Sequence, residues 1–170
     1  MDKINFDDNN EIKNLLLNLL EGLDFEIHEY NDSDEEYKYL KENDFCITVK
    51  DAEQSNVIYI DIDEYELTLT IGAWHSHYDY DEENFNEVQE TLKEFINNEV
   101  CVFEIYKYKN DKPSWFSCGM LYDEEFHSMT INKLLKENIN KKVWPIKGKV
   151  IIRYFDVNKT ETHEFSFPID

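Results

Sequence analysis

Glycine and proline are scarce in this chain, with four Gly and three Pro among 170 residues. A loop that wraps phosphate groups in backbone N–H donors needs closely spaced glycines, and neither a GxGxxG run nor a GxxxxGK run occurs. Nucleotide-binding folds that depend on such loops therefore lose their main support. Cysteine is sparse too. Cys46, Cys101 and Cys118 are far apart, each within an apolar run, and none forms a CxxC pair. An odd, unclustered set reads as free buried thiols in a reducing compartment. No stretch of about 18 apolar residues is present. The start, Met1 to Asn10, lacks the apolar core and cleavage site of a secretory leader, so the expected location is the cytoplasm.

Basic residues are the third shortage: 17 Lys and Arg stand against 38 Asp and Glu, a net charge of −21. The imbalance is uneven, since residues 1–128 hold 33 acids and nine bases, −24, whereas residues 129–170 carry +3. Such a surface repels phosphate backbones and anionic lipid, so neither a nucleic acid nor a membrane is an expected partner. It attracts cations, and toward a basic protein it raises association rates to as much as ~10⁸–10⁹ M⁻¹s⁻¹. Solubility alone is the simpler role for this charge, but its asymmetry along the chain favours a partner.

Aromatic residues are plentiful, 15% of the chain with 11 Tyr and 11 Phe, which suits a sheet-rich core. The length suits one domain spanning residues 1–170. Helical spacing of Ile12, Leu15, Leu16, Leu19, Leu20 and Leu23 predicts a helix from Asn10 to Gly22. Phe25 to Tyr30 is a candidate strand, and Asp32 to Leu40 a short acidic helix or loop. Strands are expected at Phe45 to Lys50, Val57 to Ile62 and Tyr65 to Trp74; in the last two, apolar residues alternate with polar ones. A turn at Asp63-Glu64 makes these two a hairpin. His75 to Tyr80 reads as a loop. A helix then runs from an Asp81 N-cap to about Asn97 on the stripe Phe85, Val88, Leu92, Phe95 and Ile96. A second hairpin joins Val100 to Tyr108 with Ser114 to Leu121. A helix from Ile131 to Asn138 follows, with Thr130 as its N-cap, and strands Gly148 to Asp156 and Thr162 to Pro168 complete the pattern. The fold class is α+β: a single domain with one mostly antiparallel sheet and helices packed against it.

One constellation stands out for chemistry, the run from Trp74 through His75 and His77 to Asp81. Two histidines at i and i+2 on extended backbone project to one side, and with Asp79 or Asp81 they compose a 2-His-1-carboxylate set for zinc or iron. The plainer role has both histidines closing a strand while Asp81 caps the next helix. A third role puts them on a recognition surface with Trp74, Tyr78 and Tyr80, because aromatic anchors rimmed by acids suit an interface. Asp61 and Asp63 share a strand face and resemble a paired-carboxylate site for acid–base work or magnesium; the simpler reading is the solvated side of a half-exposed strand. No cysteine sits in a recognisable nucleophile context.

The segment from Tyr65 to Tyr80, with the acidic helix after it and the strand-turn-strand reaching Trp115, resembles small immunity proteins of bacterial polymorphic toxin systems. The resemblance covers about residues 56–121 and carries over no site residues. It implies a non-enzymatic antidote that binds a cognate toxin domain, often a basic nuclease, and blocks its active site. No cofactor and no metal are expected. The alternatives are a metal-dependent enzyme built on His75, His77 and an aspartate, and an acidic adaptor unrelated to toxins. The expected partner-binding residues are Asp61, Asp63, His75, His77, Tyr78, Asp79 and Asp81.

Overall fold

A computed structural model describes residues 5–6, 8–53, 56–128, 131–139 and 146–167. The fold is α+β and its strand pairing antiparallel, but the strands divide between two sheets where the sequence suggested one: a five-stranded sheet ordered β1-β2-β3-β4-β5 and a four-stranded sheet ordered β7-β6-β8-β9. The chain correspondingly forms two compact units, Met1–Ile71 with His75–Lys93, and Gly72–Trp74 with Glu94–Asp170.

The first unit opens with α1 (Asn9–Leu19), capped by Asp8, whose side chain accepts from the Asn10 N–H. An acceptor at this position satisfies a donor that the first turn leaves without a helical partner. Ile12, Leu16 and Leu20, one helical stripe, are fully buried. Strands β1 (Phe25–Glu29), β2 (Phe45–Lys50), β3 (Asn56–Ile62) and β4 (Glu66–Ile71) follow as an antiparallel meander. The expected alternation holds: Ile58, Ile60, Ile62, Leu67, Leu69 and Ile71 are buried, and Asp61 and Thr68 sit opposite each other on the other face. The acidic segment after β1 forms a single 3-10 turn, Glu35–Tyr37.

The segment expected as a loop after residue 74 is a strand, β5 (Trp74–Asp79), at the edge of this sheet. Gly72 causes the break. Its φ of +58° is a left-handed conformation that costs glycine nothing, and with Ala73 it reverses the chain in two residues. Helix α2 (Glu82–Ile96) follows; Asp81 caps it as expected, accepting from the Asn84 N–H at 2.8 Å, and Phe85, Val88 and Leu92 are buried.

In the second unit β6 (Val100–Lys109) and β7 (Lys112–Tyr122) form the second expected hairpin. Its turn is the pair Asn110 and Asp111, with φ of +53° and +60°, the twist-matched geometry for a two-residue connection. Two short helices, α3 (Asp123–Ser128) and α4 (Ile131–Asn138), precede β8 (Ile146–Arg153) and β9 (Glu161–Phe167). Helix α3 was not anticipated; Thr130 and Pro168 lie outside the described residues. Leu134, Leu135 and Ile139 pack on Cys101, Phe103, Ile105, Val150 and Ile152, so the apolar face of α4 covers one face of β6 and β8.

On the opposite face of β6, Glu104 is 1% exposed. It accepts from the Ala73 N–H at 3.0 Å, from Arg153 Nε at 3.1 Å and from the Tyr106 hydroxyl at 2.9 Å. A buried carboxylate is tolerated because donors replace its water.

Candidate functional site

The polar face of the first unit's sheet is built from rows that cross the strands. In one row His28 is paired with Cys46, Cys46 with Asp61, and Asp61 with Thr68. Thr68 Oγ1 then lies 3.1 Å from Nδ1 of His77 on β5.

Half of this face is closed. The ring of Tyr37 stacks on His28 at 3.5 Å and 9°, Leu40 joins Tyr37 and Cys46 in an apolar cluster against Tyr59, and the Tyr39 hydroxyl donates to Asp61. Beneath that cover, His28 Nδ1 lies 3.0 Å from Asp32 Oδ2 and its Nε2 lies 3.3 Å from Thr48 Oγ1. Asp, His and a hydroxyl in sequence resemble a nucleophile relay. Thr48, however, is completely buried, so a substrate cannot reach its oxygen and the group acts as a clamp.

The other half, over β4 and β5, is open. Glu66, Thr68 and Thr70 are half-buried, and His75, His77 and Asp79 are exposed. His77 Nδ1 lies 2.7 Å from Glu66 Oε1, and the rings of His75 and His77 meet edge to face with centroids 5.4 Å apart. Among the described residues no group of three or more His, Cys, Asp or Glu converges as a metal site.

The seven residues expected at an interface thus separate by role. His75, His77 and Asp79 lie together on the open strip. Asp61 borders it, tied to Tyr39. Tyr78 faces inward at 4% exposure, a correction to its expected place on the surface, because in a strand its side opposes that of His77 and Asp79. Asp63 closes the β3–β4 turn, its carboxylate accepting from the N–H groups of Tyr65 at 2.7 Å and Glu66 at 3.0 Å. Asp81 caps α2, and the Asn84 N–H holds its carboxyl below the usual range.

A feature missed in the sequence lies beside that turn. Asp8, Glu42, Asp44 and Glu64, with Lys41 and Tyr80, line a groove of about 660 Å³ in the first unit. Its frame is rigid. The Tyr80 hydroxyl donates to the carbonyls of Asp63 at 2.6 Å and Glu66 at 2.8 Å. The Asn9 amide donates to the carbonyls of Asn43 at 3.1 Å and Asp63 at 3.3 Å. Burial, and the charges of Asp63, Asp44 and Glu66, push the Tyr80 phenol up, so it stays a donor. The groove's lining thus sets four carboxylates against one ammonium, and two of the four already accept local backbone bonds, Asp8 from the Asn10 N–H and Asp44 from the Lys41 N–H.

The charge is partitioned as well. The first unit carries 26 acids and six bases, −20, and the second 12 acids and 11 bases, −1. Among the described residues no helix is long and apolar enough to cross a membrane. No family model matches the chain, and no curated protein or solved structure shows significant similarity to it.

Proposed function

We propose that this chain is a non-enzymatic immunity or inhibitor protein of the bacterial cytoplasm, one that binds a cognate toxin domain with a basic surface and neutralises it. The observation that carries this reading is the concentration of charge: −20 on one unit, with an acid-lined groove in that unit. A field of one sign steers an oppositely charged partner and stabilises the encounter. Arginine and lysine side chains of the toxin enter the groove, and the open strip of His75, His77 and Asp79 forms a second contact. Three free cysteines fit a reducing compartment.

The direct test is co-expression with the product of the adjacent gene. The expected result is rescue from toxicity and co-purification of the two chains, with an association rate that falls steeply as salt is raised. A variant carrying Glu42→Lys, Glu64→Lys and Asp79→Lys, all at exposed positions, should slow association at least about tenfold while its melting temperature stays near that of the parent. A harmless or unretained neighbour, or turnover of a substrate by the purified chain, would sink the proposal.

A further inference from the structure

Imidazole is the commonest side-chain ligand for metal ions, but the histidines of this chain are not equally placed to act as one. His28 has both ring nitrogens engaged, one by Asp32 and one by Thr48, beneath the ring of Tyr37. His163 pairs with Glu161 at 2.7 Å on a strand of the second unit. His75 and His77 differ: they sit two residues apart on the edge strand β5, both exposed, with ring centroids 5.4 Å apart. Two imidazoles that share a tetrahedral ion, each nitrogen ~2.0–2.1 Å from the metal, hold their centroids roughly 5 Å apart. The spacing on β5 is therefore that of a chelate.

His77 carries a further mark of a ligand. Its Nδ1 lies 2.7 Å from Oε1 of Glu66 on the neighbouring strand, with Thr68 Oγ1 at 3.1 Å. A carboxylate only accepts, so Nδ1 holds the proton and, in the neutral ring, Nε2 holds the lone pair. Metal-binding histidines are oriented in this way: the second ring N–H, donated to a carboxylate, fixes the tautomer and raises the basicity of the ligand nitrogen. Among the described residues no hydrogen bond engages Nε2 of His77 or either nitrogen of His75. One ring is held in place, and the other is free to turn and meet it.

Asp79 is next on that face, but among the described residues no three metal-binding groups converge, so the 2-His-1-carboxylate set is not assembled. The protein offers two ligands, and water fills the remaining positions. Nitrogen donors select transition metals over magnesium and calcium, which take oxygen, and copper(II) is held most tightly of the divalent series. We propose that His75 and His77 chelate a divalent transition-metal ion on the open strip of β5, through Nε2 of His77 and a ring nitrogen of His75. Glu66 is the positioning residue behind His77. With its open positions the site exchanges its ion readily and accepts a further donor from solution.

The test is titration of the full chain, without a histidine tag, with Cu²⁺ and separately with Zn²⁺ in ~0.15 M NaCl, which screens diffuse attraction to the acidic surface. One ion per chain is expected, copper bound more tightly than zinc. Substoichiometric Cu²⁺, being paramagnetic, should broaden the ring C–H resonances of His75 and His77 before those of His28 and His163. His75→Ala and His77→Ala should each weaken binding at least about tenfold, since each leaves a single imidazole without its linked partner. Glu66→Ala should weaken it about tenfold, and Glu66→Gln, which keeps an oxygen acceptor for Nδ1, should recover part of that loss. Unchanged far-UV circular dichroism checks that each variant is folded. Absence of saturable binding, binding that survives both histidine substitutions, or displacement of the ion by millimolar Mg²⁺ would overturn the proposal, the last by marking diffuse attraction to the acidic surface. A Glu66→Ala variant that binds as the parent does would overturn the role of Glu66. Because no toxin takes part, the outcome is separate from that of the immunity reading.

Discussion

Arg153 places its Nε 3.1 Å and its Nη2 3.4 Å from the two carboxylate oxygens of Glu104, a fully buried acid of the second unit's sheet. Removing the guanidinium leaves a charge stranded in apolar surroundings, whereas removing both partners does not. Arg153→Met should therefore cost ~2–3 kcal/mol in urea unfolding, less than a fully buried pair because the arginine side chain is 30% exposed. Glu104→Gln combined with Arg153→Met should recover part of that loss. A single variant as stable as the parent would show that the pair carries no weight.

Gly72 is bound to the same network. A Cβ built there falls 2.1 Å from Glu104 Oε1 and 2.7 Å from Arg153 Nε, at a φ of +58°. Gly72→Ala is expected to lower stability by more than ~2 kcal/mol, the sum of left-handed strain and a displaced ion pair. Gly22 is the natural control: its φ is +89° but nothing lies within 4 Å of the added carbon, so Gly22→Ala should cost only ~1 kcal/mol. Thermal melts of the two variants side by side measure the difference.

Acid should unfold the protein through a small set of carboxylates. Burial pushes Glu104 up, but Arg153, the Ala73 N–H and the Tyr106 hydroxyl outweigh it and hold its carboxyl below the usual range. The Asp34 N–H and then His28 lower Asp32, and the Asn84 N–H lowers Asp81. Groups depressed in the folded state contribute stability above their unfolded pKa values, ~4, and lose it as pH falls through the folded values. Relief of self-repulsion among the other acids acts in the opposite direction. High salt separates the two by screening the repulsion. In ~0.5 M NaCl the urea midpoint should stay level down to about pH 5 and drop below about pH 4. A midpoint that climbs steadily with acid would contradict this.

The three thiols should titrate in two classes. Cys46 and Cys101 are fully buried; burial pushes Cys101 up to about 11 and raises Cys46 as well. Cys118 is raised too, by burial and by the charge of Glu104, but it is only half-buried, donating to the Ala73 carbonyl at 3.3 Å, so access separates it from the other two. A disulfide reagent near neutral pH should modify one thiol, Cys118, in the native protein and all three in denaturant. Native modification of Cys46 would mean that the Tyr37 cover opens readily.

Much of the secondary structure was legible because local patterns and tertiary demands agree. The apolar alternation in β3 and β4, the apolar stripe of α2 and the Asp81 cap each state one outcome at short range. Strand β5 was missed for the opposite reason. His75, His77 and Asp79 are polar, so the run from 74 to 79 lacks the hydrophobic signature of a strand, although Gly72 followed by Ala73 is a two-residue turn signal. Reading that turn would also have placed Tyr78 on the inward side. The division into two sheets was not legible at all, since strand periodicity does not say which strands pair. Nor was the groove: its acids come from residue 8, residues 42–44 and residue 64, and only the fold gathers them. The clamp of His28 between Asp32 and Thr48 joins residues up to 20 positions apart, with no motif to mark it.

Cys46, Ile47, Thr48 and Val49 have no exposed surface on either side of β2. Small fluctuations at the rim of the unit do not reach their amides, which exchange with solvent only when the whole unit comes apart. Deuterium uptake at these four positions is thus a built-in gauge of the unit's global opening, and it can be read in the intact chain without any denaturant.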